Sequence, residues 1–122
     1  KVYYKKPRML LYLMQKYDNL EWLLWIDGDA IITQPYISIE DRVEQFVSMH
    51  SSSSLSFVWA EDSQPNAGVI LIRNVPTSHE YLKAALNTWE DTDFFRTFTD
   101  QSSLIRASQA NEKYSNTALL LP

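Results

Sequence analysis

The sequence predicts an α/β fold, a mainly parallel sheet flanked by helices. Three observations lead there. Short, mostly apolar runs recur at residues 22–26, 55–60 and 69–72, each the length of a buried strand. Between them apolar residues fall at helical spacing. Pairs of capping residues stand where the period changes, Ser38 with Asp41 and Thr77 with Glu80.

In chain order, Pro7 fits the first turn of a helix carrying Leu10, Leu13, Met14 and Tyr17. Glu21 to Ile26 then holds Trp22, Leu23, Leu24, Trp25 and Ile26 in succession. Such a run suits a strand buried on both faces. It ends in Asp27-Gly28-Asp29. Behind the Ser38–Asp41 pair, Ile39, Val43, Phe46 and Val47 line one helix face. The serines at 51–54 read as a loop. Leu55 to Ala60 and Val69 to Ile72 are the second and third strands. Leu82, Ala85, Leu86 and Trp89 form the stripe of the helix that Thr77 and Glu80 open. Asp100 caps a last helix with Leu104 and Ile105, and a strand follows within Asn116 to Leu121. Trp22, Trp25 and Trp89 are expected in the core; Trp59 is open between core and sugar platform.

At 122 residues the chain suits a single domain, and 45% apolar content is enough for a core. Its 11 basic and 15 acidic residues give a net charge of −4, against a general nucleic-acid binder. The absence of cysteine excludes disulfides, thiolate zinc sites and a cysteine nucleophile. No apolar run reaches the ~20 residues of a membrane span, and no signal peptide is visible. Any segment that directs the natural protein to a membrane system is expected outside this sequence. Lys1, Lys5, Lys6 and Arg8 make the start basic, which suits either a solvated helix start or a phosphate contact.

Asp27 and Asp29 are separated by one glycine, directly after an apolar strand. Ligands in α/β sheets gather beyond such strand ends. Two carboxylates this close repel, and a divalent cation relieves the conflict. Magnesium and manganese take oxygen ligands and complete their shells with water and substrate phosphates. Gly28 permits a sharp turn or close backbone approach. The alternative is a β-turn with solvated aspartates. The apolar residues on both sides, including Ala30-Ile31-Ile32, argue for the metal.

Two chemistries use an acidic triplet after an apolar strand. In haloacid-dehalogenase-like phosphatases the first aspartate is a nucleophile and the second an acid/base. That pattern has threonine two residues after the second aspartate, where this sequence has Ile31, with Thr33 two further on. In nucleotide-sugar transfer the triplet holds a metal on the diphosphate.

The segment from Lys6 to Gln101 resembles the second. Glu21-Trp22-Leu23-Leu24-Trp25-Ile26-Asp27-Gly28-Asp29-Ala30-Ile31-Ile32 is similar to the DxD region of GT-A-fold glycosyltransferases. It looks closest to glycosyltransferase family 34, the galactosyl-, mannosyl- and xylosyltransferase group. Asp62, then Asn66-Ala67-Gly68-Val69-Ile70-Leu71-Ile72-Arg73-Asn74, resembles that family's second signature, and Asp100-Gln101 its acidic-glutamine motif.

The resemblance implies roles. Asp29 ligates Mn2+ or Mg2+ directly; Asp27 contacts the ribose, or the metal through water. Asp62, Asn66, Ala67 and Gly68 line the donor-sugar and acceptor pocket. Asp100 and Gln101 sit near the reacting carbon, so that Asp62, Asp100 and Gln101 form the catalytic group. Lys6 matches a basic position that meets phosphate. Arg73 pairs with an acidic neighbour or with the diphosphate. The substrates implied are a UDP- or GDP-sugar and a glycan acceptor, with a hexosyl or pentosyl group transferred and anomeric configuration retained. The cation offsets charge on the leaving diphosphate while the sugar gains oxocarbenium character. The chain is then the central part of a GT-A catalytic domain, lacking the first nucleotide-binding unit and the C-terminal segment with the family's histidine ligand. Neither His50 nor His79 stands at that place. The resemblance implies the Golgi lumen, within a longer type II membrane protein, or otherwise the cytoplasm. The other class that fits is a non-catalytic relative that binds sugar or a partner on the same fold.

Overall fold

A computed structural model describes residues 5–50, 54–61, 65–88 and 100–121. Helix α1 (Lys5–Lys16) leads into strand β1 (Trp22–Ile26), followed by helix α2 (Ile39–Met49). Strands β2 (Phe57–Glu61) and β3 (Pro65–Arg73) come next. Helices α3 (Pro76–Asn87), α4 (Asp100–Ala110) and α5 (Glu112–Ser115) precede strand β4 (Ala118–Leu121). The α/β class stands.

The sheet is not mainly parallel. Its order is β1-β3-β2-β4; β3 runs antiparallel to both β1 and β2, and among the described residues only β2 and β4 pair in parallel. Chain length explains part of this. Three residues separate Glu61 from Pro65, whereas a parallel crossover needs a dozen or more. Nor is β1 a strand buried on both faces. Among the described residues only β3 pairs with it, and Leu24 and Ile26 are 36% and 38% exposed. An apolar run reports that side chains can be buried, not how many neighbours the strand has.

Each face of the sheet has its own core. On one, Phe57, Trp59, Ile70 and Ile72 meet Leu10 and Met14 of α1, Leu82 and Ala85 of α3, and Leu104 of α4. Tyr81 lies in the middle, its ring 4.3 Å from Phe57 and 5.5 Å from Tyr114 by centroids, its hydroxyl donating to the Leu104 carbonyl at 2.9 Å. Trp59 is therefore a core residue. Trp22 and Trp25 are half-buried and packed against the two cores; Trp89 lies outside the described residues. On the other face Leu55, Val58 and Leu71 meet Val43, Phe46 and Val47 of α2.

Ser38 caps α2 as expected, its side chain accepting from the Asp41 amide at 3.0 Å. The Thr77–Glu80 pair does not cap α3. Val75 is the N-cap without a side-chain bond, and Pro76 opens the helix, its fixed φ needing no amide partner there. Glu80 pairs instead with Lys113 at 2.6 Å. The four-residue α5, framed by the Asn111 side chain on the Lys113 amide, is too short to show a hydrophobic period in the sequence.

Strand β3 begins at Pro65, four residues before the expected Val69. The extension is irregular. Trp59 pairs with Ile70 but the next residue, Ala60, pairs with Asn66. Residues 67–69 therefore bow out of the β2 ladder, and Gly68 bonds the residue that follows β1. Among the described residues no helix is long and apolar enough to cross a membrane.

Candidate donor site

The bow in β3 meets the acidic turn. The Asp27 amide donates to the Gly68 carbonyl at 2.8 Å, continuing the β1–β3 ladder one residue past the strand. The Asp27 carbonyl accepts from the Ala30 amide at 3.0 Å, closing a turn over Gly28 and Asp29. The Asp27 side chain is tied down. Trp25 Nε1 donates to it at 2.5 Å, and Lys6 Nζ lies 3.0 Å from Oδ1 and 3.1 Å from Oδ2. Burial raises the proton affinity of this carboxylate, but the hydrogen bonds from Trp25 and Lys6 and the charge of Lys6 outweigh it, so Asp27 is held below the usual carboxylate range. Asp29 is exposed, and no described residue bonds its side chain.

Gly28 and Gly68 differ. A Cβ built on Gly28 meets nothing within 4 Å, so its place is a turn in open space. A Cβ on Gly68 would stand 3.0 Å from Asn66 Oδ1 and 3.7 Å from Asp27 Oδ2. The tight contact is with the end of the Asn66 side chain; the distance to Asp27 is ordinary van der Waals contact. The Asn66 side chain is folded back onto the Gly68 amide at 2.7 Å.

Lys6 organises the rest. It lies on α1 in register with Leu10 and Met14, the buried stripe of that helix, and is 5% exposed. Its ammonium donates to the Ala67 carbonyl at 2.5 Å and lies 3.5 Å from Asp100 Oδ2. Asp100 begins α4, and its Oδ1 accepts from the Gln101 amide at 2.9 Å. Gln101 Oε1 in turn accepts from the Ala67 amide at 3.1 Å. So Lys6, Asp27, Asn66, Ala67, Gly68, Asp100 and Gln101, far apart in sequence, share one site. Asp62 lies outside the described residues.

Several expectations shift. The Lys6 ammonium faces two carboxylates and a carbonyl of the protein. Burial of Ala30-Ile31-Ile32 does not hold: Ile31 is 85% and Ile32 62% exposed. Arg73 pairs with Glu21 at 3.2 Å and stacks over Trp22, at the opposite end of β3. His79 contacts Asn74 beyond that same end, and His50 caps α2. Trp25, read from sequence only as core, bonds Asp27 through its indole. A signal for this exists in the sequence: residues two apart on a strand share a face. The i, i+4 spacing of Lys6 with Leu10 likewise marks the lysine as buried.

The acidic turn suits a magnesium or manganese ion in part. It offers two carboxylates on one turn, one anchored and one open to solvent, as for an ion that takes its remaining ligands from water and phosphate oxygens. Among the described residues no group of three or more acidic or histidine side chains gathers to hold a metal, so these residues alone do not form a cage.

Comparison with known proteins gives this geometry its context. Residues 1–50 match the galactosyl transferase GMA12/MNN10 family, glycosyltransferase family 34. The matched segment contains Lys6, Trp25, Asp27 and Asp29 and stops before Asn66. A comparison with curated proteins returns no match. Among solved structures, the fold is similar to that of a glycosyltransferase involved in the glycosylation of the major capsid of PBCV-1, with a TM-score of 0.70 and 13% identity. The superposition covers 98% of this chain and 59% of that one. At this identity the likeness concerns the fold, and the chain spans well under two thirds of the solved glycosyltransferase. The family 34 match includes the acidic turn, and the fold likeness extends over nearly the whole chain.

Proposed function

We propose that this chain is the donor-binding part of a metal-dependent glycosyltransferase. It moves a hexosyl or pentosyl group from a UDP- or GDP-sugar to a glycan hydroxyl, with retention, as part of a longer GT-A catalytic domain acting in the Golgi lumen. One observation carries this reading. The acidic turn of the segment matched to family 34 meets two further motifs, Asn66–Gly68 and Asp100–Gln101, around the buried cation Lys6.

Roles follow from position. Asp29, open to solvent, and Asp27, two residues nearer the strand, would be the protein's ligands to the cation. Mn2+ or Mg2+ bound there supplies positive charge to the diphosphate as it leaves. Trp25 and Lys6 fix the Asp27 carboxylate, so that no reorientation is needed on binding. Gly68 gives the sugar access to backbone that a side chain would cover. Asp100 and Gln101 orient groups at the reacting carbon, with Asp62 assigned to the same pocket. The bond from sugar to diphosphate breaks, the bond from sugar to acceptor oxygen forms, and the acceptor proton departs with the diphosphate or to solvent. Carboxylates beside the sugar stabilise its developing positive charge.

The test is a titration of the purified chain with Mn2+ and a panel of UDP- and GDP-sugars. Expected is saturable sugar-nucleotide binding that requires Mn2+ and selects one donor. Binding that ignores the metal, or that no donor shows in a folded chain, overturns the assignment of the turn.

Gly68→Ala provides a local check. The new Cβ pushes the Asn66 side chain by a few tenths of an ångström and weakens its bond to the Gly68 N–H, a loss of at most about 1 kcal/mol. The stiffer unfolded chain offsets roughly 0.4–1 kcal/mol of it. Denaturant unfolding should therefore change little, while donor affinity falls. Unchanged donor affinity separates Gly68 from the site.

A further inference from the structure

Lys6 is a cation placed away from solvent, 5% exposed. Burying an ammonium is costly unless every donor is satisfied. Here the contacts come from three other parts of the fold: Asp27 follows β1, Ala67 belongs to β3 and Asp100 lies in α4. The Trp25 ring centroid is 5.4 Å away.

These contacts form a closed ring. Lys6 donates to the Ala67 carbonyl, the Ala67 amide to Gln101 Oε1, and the Gln101 amide to Asp100 Oδ1. Asp100 Oδ2 closes the ring on Lys6. The Asp27 side chain joins the ring through Lys6, and its other bond, from Trp25, lies off the ring.

We infer that Lys6 is a positioning residue, the shared cation through which the charge state of the acidic turn reaches Asp100 and Gln101. The inference rests on the donor-site reading for its use, but its physics does not depend on a donor. When a cation binds Asp27, the carboxylate has less charge to offer Lys6. The ammonium then draws closer to Asp100, and the ring adjusts the Gln101 amide that borders the reacting centre. A compact ammonium with three donors suits this geometry, and a planar guanidinium does not.

The test follows the Gln101 backbone and side-chain amide resonances in the 15N-labelled chain without metal. Asp27→Asn removes the charge and keeps the shape and the backbone bond to Gly68. It is expected to move the Gln101 resonances in the native background and to leave them in place in Lys6→Met. A folded Lys6→Met in which Gln101 still responds overturns the inference. So does a Gln101 that is silent to Asp27→Asn in the native background. Should Lys6→Met fail to fold, the Lys6 side-chain resonances decide. Asp27→Asn and Asp100→Asn are then expected to act non-additively on them, and additivity overturns the coupling. Mn2+ added alone to the same native sample reports on the donor site separately. A native chain that does not take up Mn2+ removes the donor reading and leaves the Gln101 result to judge Lys6.

Discussion

Asp29→Asn is expected to abolish Mn2+-dependent donor binding while leaving the fold as stable as before. No described residue bonds the Asp29 side chain, and it faces solvent, so its replacement should stay within about 0.5 kcal/mol by denaturant unfolding. The ligand it offers is different in kind. An amide oxygen is a weaker partner for a hard divalent ion, and the turn would lose one of its two charges. Asp27→Asn separates the two aspartates. It too should abolish metal-dependent binding, but it also removes one of the two anionic partners of Lys6 and weakens the acceptor of Trp25. The Asp27 side chain is 38% exposed and Asp100 remains 3.5 Å from Lys6, which limits the cost to about 1–3 kcal/mol. Donor titration beside urea unfolding distinguishes the pair. Donor binding that survives Asp29→Asn would move the site away from the turn and favour a non-catalytic relative.

Much of this site is legible in the sequence as types of residue and little of it as geometry. The acidic turn, the Asn66–Gly68 segment and the Asp100–Gln101 pair stand out because small and acidic residues interrupt apolar runs. That they meet depends on the bow at residues 67–69 of β3, and no local propensity announces a bulge of this kind. The helices α1 and α2 follow from spacing and, for α2, from Ser38. The sheet direction does not, since an apolar run of four or five residues reads alike in parallel and antiparallel sheets. The short link between β2 and β3 is the available signal for an antiparallel pair. Lys6 shows the same limit from the other side: a basic residue in a basic stretch suggests solvent or phosphate, whereas its helical register with Leu10 and Met14 puts it inside.

Tyr81→Ala should have the largest effect on stability. Tyr81 is 1% exposed, and its ring contacts Phe57, Trp59 and Tyr114, joining the sheet to α3 and α5. Truncation leaves a cavity among rings too rigid to collapse into it, at a cost of about 3–5 kcal/mol. That is a large share of the roughly 5–15 kcal/mol available to a domain. Tyr81→Phe keeps the packing and loses only the bond to the Leu104 carbonyl, about 1 kcal/mol. The hydroxyl also carries a pH signature. Burial pushes the Tyr81 phenol well above its ordinary value. The folded state therefore keeps this proton where the unfolded chain releases it. Its contribution is full below the unfolded value of about 10 and declines as pH rises beyond it. The native protein should lose stability above about pH 10 more steeply than Tyr81→Phe, which has no proton to release at this position. Urea unfolding of both proteins between neutral and strongly alkaline pH measures the difference. Parallel pH curves would mean that the Tyr81 hydroxyl reaches water in the folded state, and that the core between α3 and the sheet is open at its centre.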